Sequence, residues 1–179
     1  MAFWKDFDEI VTAEMASTAG GLVAGTLLAF ITNKIELIPA LLIFLPGFLE
    51  MRGNISGSLS ARLSSALFLG ATKPKIRKNR ILKGNLAAAL LLVVVVSIIL
   101  GVVAFFANLV FFGVFDYRII SIAFIAGMLS NVLELPLAVF TTFWLFRHGH
   151  DPNNIMGPYI TTTGDISSVV AIFIAIVII

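Results

Sequence analysis

The sequence predicts an all-α integral membrane protein with five transmembrane helices per protomer, on three observations. Apolar residues make up 59% of the 179-residue chain, charged residues only 12%, and mean hydropathy is +1.05. A soluble domain usually carries about 25% charged residues, so this chain is built for a bilayer. Its apolar residues also fall into runs long enough for the roughly 20 residues that cross a hydrocarbon core. Finally, almost no polar linker separates the runs, which predicts one membrane domain over residues 1–179 and leaves no room in it for a soluble sensor or catalytic domain. Absence of cysteine excludes a disulfide framework and thiolate metal ligation.

The first span is expected at about Thr12–Thr32, ending at the polar turn Asn33-Lys34-Ile35-Glu36. The stretch before it, Met1–Ile10, is polar and acidic and lacks the basic-then-apolar order of a cleavable signal peptide. The second segment, Leu37–Gly70, is apolar to Leu49 and mixed afterwards. It is expected to be bent or broken near Pro46-Gly47 or Arg52-Gly53-Asn54. The third span, Gly84–Phe115, has no acid or base and should face lipid. The fourth covers about Ile119–Phe146 with Pro136 in its middle, and the fifth Pro158–Ile179. Asp151-Pro152 is a helix-start signal, with Asp as N-cap and Pro in the first turn. Gly157-Pro158 is expected to kink or break the chain just before the fifth span.

Lys73, Lys75, Arg77, Lys78, Arg80 and Lys83 are six of the twelve basic residues and stand together without an acid. Beside a membrane span such a run is a topology signal rather than a nucleic-acid patch, and it can also bind lipid headgroups. It places the 73–83 loop, the N-terminus and the Arg147–His150 loop in the cytoplasm. The turns at 33–36 and 116–118, and the C-terminus, are then outside.

The functional signal is acid inside the apolar segments. Asp165 stands seven residues into the fifth span, behind Thr161, Thr162, Thr163 and Gly164. An ionised Asp at mid-helix costs roughly 2.5–3.5 kcal/mol in lipid even on insertion scales, so it should face protein, water or an ion. Glu14, Glu50 and Glu134 lie in or at the edges of other spans. At helical spacing, four segments carry small-and-polar stripes: Glu14, Thr18, Gly21, Gly25; Glu50, Asn54, Ser58, Ala61, Ser65; Gly127, Asn131, Glu134, Ala138, Thr141; and Thr161, Asp165, Ser168. For Gly, Ala, Ser and Thr, close helix packing explains the stripe; for the carboxylates, an ion path explains it better. Glu134 could instead pair with a base or be held neutral, and Glu14 and Glu50 could simply reach water. Carboxylate, hydroxyl and amide oxygens suit hard cations, and Mg²⁺, which dehydrates reluctantly, needs only one or two carboxylates with several waters. His148 and His150 beside Asp151 read as ordinary loop histidines more readily than as a metal site. Arg52 and Arg62 should sit at the cytoplasmic end, snorkelling or paired with Glu50.

Two segments resemble a known family. Pro39–Gly57 (PALLIFLPGFLEMRGNISG), continuing into Ser60-Ala-Arg-Leu-Ser-Ser65, looks like the second-helix signature of the MgtE magnesium channels, and more closely like their relatives in solute carrier family 41. Asp151–Asp165 (DPNNIMGPYITTTGD) is similar to the family's lead-in to its fifth helix. The resemblance implies a homodimer of five-helix protomers with one ion path on the two-fold axis, lined by the second and fifth helices. It implies that Asp165 binds hydrated Mg²⁺ with its symmetry mate. Asn54 and Gly53 match the glycine-asparagine element, and Pro39, Gly157 and Pro158 match pore-shaping positions. Thr161, Glu50 and Glu134 complete the candidate metal set. The bacterial channels carry cytoplasmic sensor domains that have no counterpart in this sequence, and Arg52 stands where their motif often has a small residue. The expected function is therefore divalent cation transport, magnesium preferred, without enzymatic activity. The alternatives are a sodium-coupled exchanger that also binds Na⁺, or a non-transporting membrane scaffold.

Overall fold

The computed structural model describes residues 2–35 and 38–179 as five helices: α1 (Ala2–Ile35), α2 (Ala40–Phe68), α3 (Arg80–Phe112), α4 (Arg118–Arg147) and α5 (Pro152–Ile178). At 1.5 Å per residue they are about 40–50 Å long. By length and composition α1, α3, α4 and α5 can cross a membrane. α2 has the length, but after Leu49 it carries Glu50, Arg52, Asn54, Arg62 and five serines, which lowers its apolarity. Glu36 in the expected first turn and Leu37 at the expected start of the second segment lie outside the described residues. The helix before them runs through Asn33 and Lys34 to Ile35 rather than turning there.

Two expected breaks do not occur. α2 is one continuous helix through Pro46-Gly47 and Arg52-Gly53-Asn54. α5 begins at Pro152 and continues through Gly157-Pro158. A proline in a helix removes one backbone donor, and such losses are tolerated where neighbouring helices and hydroxyls surround the freed groups. In α5 the carbonyl that loses its helical donor to Pro158 is that of Asn154. The turn that follows is reinforced by the Thr161 and Thr162 hydroxyls, which donate to the carbonyls of Gly157 and Pro158 at 3.1 and 3.0 Å. The start signal does hold: the Asp151 carboxylate accepts from the Asn153 amide at 2.8 Å, with Pro152 in the first turn.

α2 lies at the centre, packed against α3, α4 and α5, while α1 packs on α5. Its buried Phe44, Phe48, Leu59 and Leu63 form the core with Val93 of α3 and Ile119, Ile122 and Leu135 of α4. α3 is apolar around most of its surface and buries one narrow stripe: Ala89, Val93, Ser97, Gly101, Ala104 and Asn108. α3 thus carries a small-and-polar stripe too, contrary to the expectation of one on the other four segments alone. Gly101 allows close approach to α4, since a Cβ there would lie 2.8 Å from the Ile120 Cα. The remaining faces of α3, from Leu91 to Phe111, are exposed and apolar, as a lipid-facing helix requires.

Three contacts gather one end of the bundle. Lys5 of α1 donates to the Gly149 carbonyl at 2.7 Å, the His150 ring lies 2.9 Å from Glu9, and Arg147 donates to the Pro74 carbonyl. The start of α1, the basic 73–83 loop and the α4–α5 loop therefore share one end. α5 starts there and, at about 40 Å long, finishes at the other.

Candidate functional site

Helical spacing builds the site from two elements. On α2, Gly53 and Asn54 lie three and four residues after Glu50, and Gly57 lies four and three after them; on α5 Gly157, Thr161 and Asp165 follow at steps of four. Such steps put residues on one face. The two faces flank a cleft of about 410 Å³ whose walls also include Pro46, Leu49, Arg52 and Ile160. Glycine at 53, 57 and 157 keeps the walls low: a Cβ added at any of them meets no heavy atom within 4 Å. The cleft is large enough for a cation with an octahedral shell of waters, at about 30 Å³ each.

The polar groups are arranged for that use. Glu50 Oε1 accepts from the Asn54 amide at 3.0 Å, one helical turn on. Asp165, 26% exposed, presents its carboxylate to the cleft; Oδ1 accepts from Arg52 Nη2 at 3.0 Å. Among the described residues, no three His, Asp or Glu side chains converge as a protein-only metal cage would need. The oxygens here fit an ion that keeps its water.

Arg52 is the main departure from expectation. It is 1% exposed and lies inside the bundle, with Nη1 2.9 Å from Glu134 Oε1 and donating to the Ile160 carbonyl at 3.1 Å. Counting 1.5 Å per residue from the ends at Phe68, Arg147 and Pro152, Arg52, Glu134 and Asp165 all sit about 20–24 Å in. That is mid-depth, so Arg52 neither snorkels nor pairs with Glu50. Gly164 makes room for it: a Cβ at 164 would overlap the guanidinium. Arg62, by contrast, is exposed near the loop end of α2.

The other candidates are dispersed. Glu134, also 1% exposed, lies behind Arg52 and away from the cleft, with Ser167 donating to its Oε2 at 3.2 Å. Pro39 starts α2. Pro158 faces a small apolar cavity of about 260 Å³ between α1 and α5. Glu14, Thr18, Gly21 and Gly25 lie on an exposed face of α1; Gly20 instead packs on Thr162 of α5, and Ala24 is buried. His148 Nδ1 lies 2.8 Å from the Trp144 carbonyl and His150 faces Glu9, so the two histidines do not converge. The sequence reading missed Gly164, Ser167 and the inward Arg52. It also missed a second α2 stripe, Arg52, Ser56, Ser60 and Ser64, which is buried; Ser60 and Thr142 hydroxyls lie 2.8 Å apart. On α4 it is Thr142 rather than Thr141 that is fully buried.

Comparison with known proteins bears on this geometry. Residues 45–175 match the family model described as MgtE, divalent cation transporter, which covers both walls of the cleft. Solute carrier family 41 member 2 of Gallus gallus is 23% identical over 168 residues, covering 88% of this chain and 29% of that protein. The Homo sapiens and Xenopus laevis proteins of the same name are each 27% identical over 132 residues, 69% of this chain and 22% and 23% of theirs. The chain thus spans under a third of the length of these curated relatives. No solved structure matches.

Proposed function

The chain belongs to the MgtE family of divalent cation transporters, and we propose that it carries Mg²⁺ by preference along the α2–α5 cleft, with Asp165 as the central ligand through water. The observation that carries this reading is the cleft itself. Two helices distant in sequence place Glu50, Asn54, Thr161 and Asp165 around one space, floored by glycine.

α2 crosses the membrane with the other four helices, three of which, α3, α4 and α5, pack against it. Glu50, Asn54, Ser58 and Ser65 nevertheless stay exposed on the protomer. Lipid does not tolerate such a face, so a second copy covers it and the ion path runs along the shared two-fold axis. The basic 73–83 loop puts its end of the bundle in the cytoplasm. Carboxylates on a glycine-lined wall favour an ion that is drawn by charge and keeps its hydration, which is the behaviour of Mg²⁺.

The test is growth of a bacterial strain without its own magnesium uptake, at limiting Mg²⁺. Wild type should restore growth and Asp165→Asn, at equal membrane abundance, should not. Equal growth of the two would overturn the assignment.

A further inference from the structure

We propose that Arg52 is the specificity-determining residue of this site: a built-in cation that an incoming ion must displace from Asp165, and that thereby favours divalent over monovalent ions. The inference rests on Asp165 being the ion ligand. Three observations support it. First, Arg52 is both buried and part of the cleft wall, so its guanidinium reaches the carboxylate that the ion must use. Second, it has somewhere to remain when Asp165 lets go, because Nη1 is already held by Glu134 and by the Ile160 carbonyl. Third, it is not fully satisfied: Nε is buried with no hydrogen-bond partner among the described residues, and the guanidinium lies over Gly164, where no side chain locks it.

The selectivity follows from charge. A fixed positive group beside Asp165 cancels much of the attraction the carboxylate offers. What remains acts in proportion to the ion's charge. A monovalent ion then gains too little to replace its water and the guanidinium contact, whereas a divalent ion gains twice as much. Glu134 tunes the balance from behind: the more firmly it holds Arg52, the more readily Asp165 is released.

Two variants should therefore move Mg²⁺ affinity in opposite directions, which a merely structural role would not produce. Mg²⁺ is titrated calorimetrically into the detergent-solubilised full chain, with and without excess Na⁺ at constant ionic strength. Arg52→Met with Glu134→Gln removes the buried pair together. It should bind Mg²⁺ more tightly, on the order of tenfold, and become sensitive to Na⁺ competition that wild type resists. Glu134→Gln alone leaves the guanidinium to Asp165 and should weaken Mg²⁺ binding by a similar factor. If the double variant does not fold, Glu134→Gln decides: weaker binding supports the proposal, and unchanged or tighter binding overturns it. Both variants matching wild type, or shifting the same way, would overturn it too, provided Asp165→Asn abolishes binding. If Asp165→Asn binds as wild type does, the ion-ligand assignment fails first, and Arg52 with it.

Discussion

Arg52 and Glu134 form an ion pair at 2.9 Å in which each side chain is 1% exposed, and both stand at the depth of Asp165. A pair this buried recovers little net stability against its desolvation, but removing one partner strands the other charge and costs about 3–5 kcal/mol. Arg52→Met should therefore unfold at markedly lower temperature in detergent. Combining it with Glu134→Gln should restore most of the loss. Additive damage in the double variant would contradict the pairing.

Gly164 and Gly57 separate two uses of glycine. A Cβ at 164 overlaps the Arg52 guanidinium, while one at 57 meets nothing in the protomer. Gly164→Ala should lower stability by about 1–3 kcal/mol, as overpacking does. Gly57→Ala should leave the protomer's thermal stability unchanged and still reduce ion flux by narrowing the cleft. Full flux through Gly57→Ala would place the path elsewhere.

The exposed polar face of α2 should lie against a second copy. The chain has no cysteine, so single introduced thiols report without background. Ser58→Cys should yield a disulfide-linked dimer in membranes under mild oxidation. Val103→Cys, on the exposed face of α3, should remain monomeric. The reverse pattern would rule out the shared axis along α2.

At the opposite end from the basic loop, Asp116 is held below the usual carboxylate range, chiefly by its side-chain hydrogen bonds with Arg118. The depressed folded value means that its contribution is complete above the ordinary carboxylate range. It is lost as pH falls through that lower value. The Arg118 amide, which donates to Asp116 Oδ1 at 3.0 Å, should accordingly lose hydrogen-exchange protection in acid. In Asp116→Asn that pH dependence should vanish; its persistence would assign it to another group.

Much of this architecture was legible in the sequence, and the exceptions have physical causes. Helix positions followed from apolar runs and from local caps such as Asp151-Pro152. The cleft residues Glu50, Asn54, Thr161 and Asp165 stood out because polar groups are costly in lipid. Arg52 was misplaced because its partners are far off in sequence, with Asp165 113 residues away; no local pattern marks an ion pair between distant helices. α2 carries polar residues on two faces, so periodicity found the exposed stripe and missed Ser56, Ser60 and Ser64. Pro46 and Pro158 misled for a related reason, since a proline breaks a helix only when nothing around it tolerates the missing donor.

An ion path through Asp165 is tested most directly by Mg²⁺ uptake into proteoliposomes of defined composition. Wild type and Asp165→Asn are compared at matched reconstitution, with and without an opposing sodium gradient. Uptake by wild type that is lost in Asp165→Asn and indifferent to sodium is the expected result; sodium dependence would instead make the protein an exchanger using the same ligand. Undiminished uptake by a well-folded Asp165→Asn protein would contradict the account.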